Sequence, residues 1–129
     1  MQFKEGRDLS IIACGTMVCE AIDAADMLEH EGIHARVINL ATVKPIDQEI
    51  IIQAAKETGA IVTAEEHQLM GGFGSAVAEV VVLNHPVPIE MVGIEDTFGE
   101  SGTPEELMTK YHLTSTDICE KAKKVLLRK

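Results

Sequence analysis

The sequence predicts an α/β fold built on a mostly parallel sheet with helices on both faces. Two observations carry this reading. Short β-branched or apolar runs alternate with longer stretches whose apolar residues recur every three or four positions. Glycine or proline stands at most of the changes from one pattern to the next. Aromatics are scarce (three Phe, one Tyr, no Trp), so the core must be built from Val, Ile, Leu, Met and Ala.

The elements follow in order. Leu9 to Ala13 is a short apolar run closed by Gly15 and reads as a buried strand. Thr16 is placed to cap the next helix with its hydroxyl, and Val18, Ala21, Ile22, Ala25 and Leu28 form that helix's apolar stripe. Gly32 ends it, and Ala35 to Leu40 is a second strand. Lys44-Pro45 breaks the pattern, and Asp47 caps a helix carrying Ile50, Ile51, Ala54 and Ala55. Gly59 stops that helix before a third strand, Ala60 to Glu65. A polar, glycine-containing connection, Glu66 to Gly72, leads to a helix with the stripe Phe73, Ala76, Val77, Val80 and Val81. Asn84-His85-Pro86 ends it. Val87 to Ile94 is a fourth strand, and its two prolines place it at a sheet edge. Thr103-Pro104-Glu105-Glu106 starts a short helix running to about Tyr111. Thr114 and Asp117 repeat the capping pattern ahead of a last helix with the stripe Ile118, Ala122, Val125 and Leu126. Lys121, Lys123, Lys124 and Arg128 gather toward its C-terminus, where positive charge suits the helix dipole. Right-handed crossovers favour the strand order 2-1-3-4.

The 129 residues fit one domain, 1–129, and no repeat or linker divides them. Eleven Lys and Arg against 21 Asp and Glu leave a formal net charge of −10, which repels nucleic acid and anionic membrane surfaces. No apolar run reaches the roughly 18–20 residues of a membrane span, and the charged N-terminus has no signal-peptide segment. Cys14, Cys19 and Cys119 are odd in number and unpatterned, as expected for reduced, mostly buried thiols in a cytoplasmic protein.

In the order 2-1-3-4 the first and third strands flank a switch point, where ligands gather in open α/β sheets. Gly15 and Thr16 would line one side of that crevice; Glu65, Glu66, His67, Gly71 and Gly72 would line the other. These seven are the candidate interaction or anion site. The first loop lacks a G-x-G-x-x-G fingerprint, so nucleotide binding is disfavoured against simple close packing of small residues. Glu65-Glu66-His67 is the most chemically suggestive cluster, with groups for proton transfer or metal binding. No second His or Cys stands at ligand spacing, which argues against structural zinc and favours a solvated loop or contact surface. His30, His34, His85 and His112 read as surface histidines, and Cys14 as a small thiol without a catalytic role.

Four segments in their order resemble the C-terminal domain of transketolases: Leu9–Thr16 (LSIIACGT), Val43–Asp47 (VKPID), Ile61–Gly74 (IVTAEEHQLMGGFG) and Gly93–Leu107 (GIEDTFGESGTPEEL). Tyr111-His112-Leu113-Thr114 extends the match, which covers essentially the whole chain. The Asp96–Gly102 stretch is most similar to transketolases split into two polypeptides. Deoxyxylulose-phosphate synthases and the beta subunits of 2-oxoacid dehydrogenases share the domain and are the alternatives.

The resemblance implies a three-layer α/β/α sandwich with a five-stranded mixed sheet whose first strand runs antiparallel, here Gln2-Phe3-Lys4. It implies part of an enzyme of the pentose phosphate pathway that moves a two-carbon ketol unit between sugar phosphates. Thiamine diphosphate and a divalent metal would sit in upstream pyrimidine- and diphosphate-binding domains that this sequence does not include. Partners would be those domains or a separate large subunit, in a homo-dimer or hetero-oligomer. No position matches a catalytic, cofactor-binding or metal-binding residue of the family, so this stretch is expected to be inactive alone, serving structure, assembly or regulation. From a different class, the residues alone also allow a free-standing small-anion-binding module.

Overall fold

Strands and helices alternate as the sequence pattern requires. A computed structural model describes residues 2–40, 46–68, 72–94 and 113–129. The elements are β1 (Gln2–Lys4), β2 (Leu9–Ala13), α1 (Met17–Glu29), β3 (Ala35–Asn39), α2 (Gln48–Thr58), β4 (Ile61–Gln68), α3 (Phe73–Asn84), β5 (Ile89–Ile94) and α4 (Ser115–Arg128). The expected helix start at Thr103, and Lys44-Pro45, lie outside the described residues.

One sheet joins the strands in the order β1-β3-β2-β4-β5. The four longer strands are parallel, and β1 runs antiparallel along the outer side of β3. Without β1 the order is the expected 2-1-3-4, with the proline-flanked strand at the edge. Both faces are covered, so alternation along a strand sends residues to two different cores. Leu9, Ile11, Val37, Val62 and Val92 pack with α1 and α4. Ile12, Ile38 and Ile61 pack with α2 and α3 around Phe73, Val77 and Val81.

Local signals set most boundaries. The Asp47 carboxylate accepts from Ile50 N at 3.2 Å and starts α2, and Gly59 ends it in a left-handed conformation with φ 72°. Thr114 and Asp117 form a reciprocal capping box at the start of α4.

Three expectations are corrected. Thr16 makes no side-chain cap bond; it already has helical angles (φ −68°, ψ −16°), because the turn is made one residue earlier at Gly15, φ 63°. A hydroxyl cap needs an extended backbone at that position. Second, β4 runs through Gln68, beyond Glu65, and its register with β5 slips between Ala64 and Gln68. The strand thus continues past its expected end across an irregularity in the ladder. Third, the thiols are not mostly buried: Cys119 is buried, Cys14 half-buried and Cys19 exposed on the outward side of α1. Burial pushes the Cys119 thiol up from its ordinary value.

Candidate functional site

The switch point lies between β2 and β4, neighbours whose following helices, α1 and α3, cover opposite faces of the sheet. At the end of β2, Gly15 and Thr16 are exposed. Across from them, β4 delivers Glu65, and Gly72 precedes α3. The backbone of Glu66 and His67 continues β4, and Gly71 lies outside the described residues.

Glu65 is wholly buried, at 0% exposure. Its carboxylate accepts from Phe73 N at 2.6 Å and from Gly74 N at 3.2 Å, the first two amides of α3. Those amides have no partner within the helix, and the helix dipole favours a negative charge there. Gly72, the residue at the N-cap, has no side chain to do this, so the strand supplies the cap from eight residues upstream. Glu65 is therefore not part of an exposed crevice, as its place in the predicted site required.

Close packing accompanies that cap. A Cβ on Gly74 would lie 2.8 Å from Thr63 Oγ1 and 3.3 Å from Met91 Sδ, so only glycine lets α3 settle on the sheet. Thr63 is itself fully buried, and its hydroxyl has no hydrogen-bond partner among the described residues. Ser10, also on this face, shares a 2.9 Å hydrogen bond with Thr58 Oγ1. The sheet surface under α2 and α3 thus carries buried polar groups where an apolar pattern would suffice.

Glu90, on the edge strand, is a second nearly buried carboxylate, with its side chain 10% exposed. Arg128 pairs with it and also donates to Ile89 O at 2.9 Å, while Lys121 and Lys124 stand 3.7 and 3.6 Å away. Lys123 points elsewhere, to Glu31 at 2.8 Å. The cations that the sequence offered to a helix dipole have named carboxylate partners.

At the amino end of the strands, a cavity of about 570 Å³ is lined by Gln2, Arg7, Asp8, His34, Arg36 and Glu57 among others. Within it Arg36 pairs with Glu57 at 2.7 Å, and the Asp8 carboxylate accepts from the backbone amide of His34 at 2.6 Å. The Gln53 amide, then Arg36, keeps the Glu57 carboxyl below its ordinary range. His30 and His34 are exposed and His85 half-buried, whereas His112 lies outside the described residues. No group of three His, Cys, Asp or Glu among the described residues is arranged to hold a metal ion.

The N-termini of α2, α3 and α4 are filled by this chain's own carboxylates, Asp47, Glu65 and Asp117. A carboxylate in that position repels a phosphate and takes the amides it would need. These three N-termini therefore do not fit a diphosphate, whereas that of α1 carries no side-chain cap.

The Transketolase, C-terminal domain model matches residues 2–118. The chain belongs to this family. Over 126 residues it is 47% identical to the 6-deoxy-6-sulfo-D-fructose transketolase subunit SqwH of Clostridium sp. (strain MSTE9), covering 98% of this chain and 39% of that protein. It is 43% identical over 123 residues to the 1-deoxy-D-xylulose-5-phosphate synthase of Heliobacterium modesticaldum (strain ATCC 51547 / Ice1), covering 95% of this chain and 19% of that protein. A solved structure described as "Split gene transketolase, inactive beta4 tetramer" superposes with a TM-score of 0.95 at 50% identity, covering all of this chain and 43% of that one. The chain thus spans well under half the length of these relatives. No described helix is long and apolar enough to cross a membrane.

The sequence alone does not reveal what Glu65 and Gly74 do at the start of α3. The available signal was a glycine at the cap position of a helix, which leaves an acceptor to be found elsewhere.

Proposed function

We propose that this chain is the C-terminal part of a transketolase, an enzyme moving a two-carbon ketol unit between sugar phosphates in the cytoplasm. It serves structure and assembly within that enzyme. The observation that carries this reading is the whole-chain likeness to a split-gene transketolase, at 50% identity and a TM-score of 0.95. The carboxylates that close α2, α3 and α4 support the division of labour, since they leave the cofactor to other parts of the enzyme. Thiamine diphosphate and a divalent cation would be held by upstream domains or a separate large subunit. Copies of this chain would also associate with each other, as the description of that structure as a beta4 tetramer supports.

The test is recombination. The chain alone should show no ketol transfer and no specific heat on titration with thiamine diphosphate and magnesium. Joined to the polypeptide that carries the remaining domains, it should support transfer. A micromolar dissociation constant for the cofactor, worth about −8 kcal/mol, would overturn this assignment. The 43% identity to a deoxyxylulose-phosphate synthase favours a second reading, in which the same part serves a decarboxylating synthase. Stoichiometric release of carbon dioxide in the recombined enzyme would select it.

The connection around Glu66, His67, Gly71 and Gly72 is then an interaction surface. His67→Ala should leave the chain's stability within about 0.5 kcal/mol and weaken assembly without abolishing turnover. A loss of turnover by several orders of magnitude with assembly intact would make His67 catalytic.

A further inference from the structure

Arg36 is the most buried cation among the described residues, with its side chain 10% exposed. It stands on β3 beside Ser10, on the sheet face that α2 covers. Its guanidinium is held from two sides. Nε donates to Gly6 O at 3.3 Å, and Nη2 meets Glu57 Oε1 at 2.7 Å. The turn before β2 is pressed against the start of β3 to make the first contact. A Cβ on Gly6 would lie 2.5 Å from His34 O and 2.7 Å from Arg36 N, so only glycine brings its carbonyl this close. The result is a permanent positive charge in a fixed place, with a planar fork of donors.

Its partner is not fixed in the same way. Glu57 stands in the last turn of α2 with its side chain 45% exposed. The Gln53 amide donates to Glu57 Oε2 at 3.0 Å, and Arg7 adds a smaller attraction to those of Gln53 and Arg36. Arg7 itself is exposed and makes no ion pair with a carboxylate among the described residues. Two guanidinium groups and an amide therefore surround one carboxylate, and that carboxylate hangs from a half-exposed side chain.

These groups line the cavity of about 570 Å³ at the amino end of the strands, a volume in the range of small-molecule sites. Gln53 and Glu57 also line a second cavity, of about 340 Å³, on the outer side of α2. Glu57 is thus a partition with open space on either side. Swinging it toward the second cavity leaves Arg36, Arg7 and Gln53 facing the first. An ion pair with one well-solvated partner contributes little net stability, so an incoming oxyanion can replace Glu57 at small cost. A carboxylate or phosphate matches the guanidinium fork as Glu57 does. The remaining wall carries Glu5 and Asp8, which oppose a bare anion but accept hydrogen bonds from hydroxyl groups.

We propose that this cavity binds a small hydroxylated molecule through a carboxylate or phosphate group. That group replaces Glu57 on Arg36 and takes a second contact from Arg7, while the hydroxyls meet Glu5 and Asp8. The site lies at the end of the sheet opposite the switch point, apart from the connection around His67.

The test is a titration of the 129-residue chain followed by the backbone and arginine Nε resonances, at constant ionic strength set with chloride. Glycerate and glycerol phosphate are the probes, alike in their hydroxylated bodies and different in their anionic groups. At least one should give saturable shifts at Gly6, Asp8 and Arg36, with a dissociation constant of about 5 mM or tighter. The probe that saturates at the lower concentration names the anionic group. Glu57→Gln should tighten binding by about threefold or more, because it removes the resident competitor. Arg36→Lys should weaken it by about tenfold or more through loss of the fork. Arg7→Gln, at an exposed position, should also weaken it and decides the matter if Arg36→Lys does not fold. Shifts that never saturate, or that spread evenly over exposed Lys and Arg, would overturn the proposal. Affinity unchanged in Glu57→Gln would overturn it as well, since Glu57 would then not occupy the ligand's place. None of these readouts is turnover, so this inference and the transketolase assignment fail separately.

Discussion

Two neighbouring strands each bury a glutamate, and the protein satisfies them by different means. Glu65 on β4 has no exposure and binds the first two amides of α3. Glu90 on β5 keeps a side-chain exposure of 10% and is met by Arg128, Lys121 and Lys124. The first set of donors is fixed backbone, already in place once the helix forms. The second consists of flexible side chains that water can also solvate. Backbone amides left without their acceptor stay buried and unsatisfied, whereas half-exposed cations left without theirs turn outward. The difference teaches that burial of the carboxylate alone does not set the cost of losing it; the freedom of its partners does.

That comparison yields its largest effect at Glu65. Glu65→Ala should destabilise the chain by about 3 kcal/mol or more, because it orphans two buried donors and opens a void beneath α3. Glu90→Ala should cost about 1 kcal/mol, the scale of a partly exposed ion pair. Urea melts of the two variants at constant pH measure both. Equal costs would show that burial, and not partner freedom, decides. Salt sharpens the contrast. Raising it from about 0.1 M to about 1 M shortens the screening length from about 10 Å to about 3 Å, so the Glu90 effect should shrink and the Glu65 effect persist.

Next in size is the packing that holds the Glu65 cap in place. A methyl group on Gly74 would stand 2.8 Å from Thr63 Oγ1, so Gly74→Ala should cost about 1–3 kcal/mol by pushing α3 away from its acceptor. In that variant, hydrogen exchange should rise at the first two backbone amides of α3 before it rises at the middle of the helix. Uniform exchange along the helix would mean that the strand does not hold its first turn.

How much of this the sequence reveals depends on the distance between partners. Asp47 and Ile50, or Thr114 and Asp117, are three residues apart, so their caps are visible in the spacing. Gly59 is legible for the same reason. Glu65 and Phe73 are eight residues apart across a strand-to-helix turn, and their contact exists only once β4 and α3 are packed. Glu90 lies 31 to 38 residues from its cations. The sequence showed a basic cluster and offered the helix dipole as its partner, because the carboxylate that arrives from β5 is a tertiary fact. Thr16 failed for the opposite reason: its residue type is a good cap, but Gly15 had already turned the chain.

Reactivity separates the thiols in the same terms of access. Cys19 is exposed, Cys14 half-buried, and Cys119 buried with its Sγ 3.4 Å from Ala24 O. Burial raises the Cys119 pKa, so its contribution to stability is fully present below the unfolded thiol value and is lost as pH rises through the folded one. At mildly alkaline pH a disulfide reagent should modify Cys19 first and Cys119 only with unfolding. Early modification of Cys119 in the folded chain would show that α1 and α4 part more easily than their shared core implies.

The smallest effect concerns the Thr63 hydroxyl, two residues before Glu65 on β4. Thr63 Oγ1 is buried without a partner among the described residues, on the same face of β4 as Glu65. Thr63→Val keeps the shape of the side chain and removes the polar atom, so it should leave stability unchanged or raise it by up to about 1 kcal/mol. The sign tests whether the Glu65 region is optimised as a polar network or only at its cap. A gain means that Glu65 and the α3 amides are self-sufficient and Thr63 is a passenger beside them. A loss above about 1 kcal/mol would mean that the hydroxyl has a partner in solution, and that the cap belongs to a larger network whose members must be removed together.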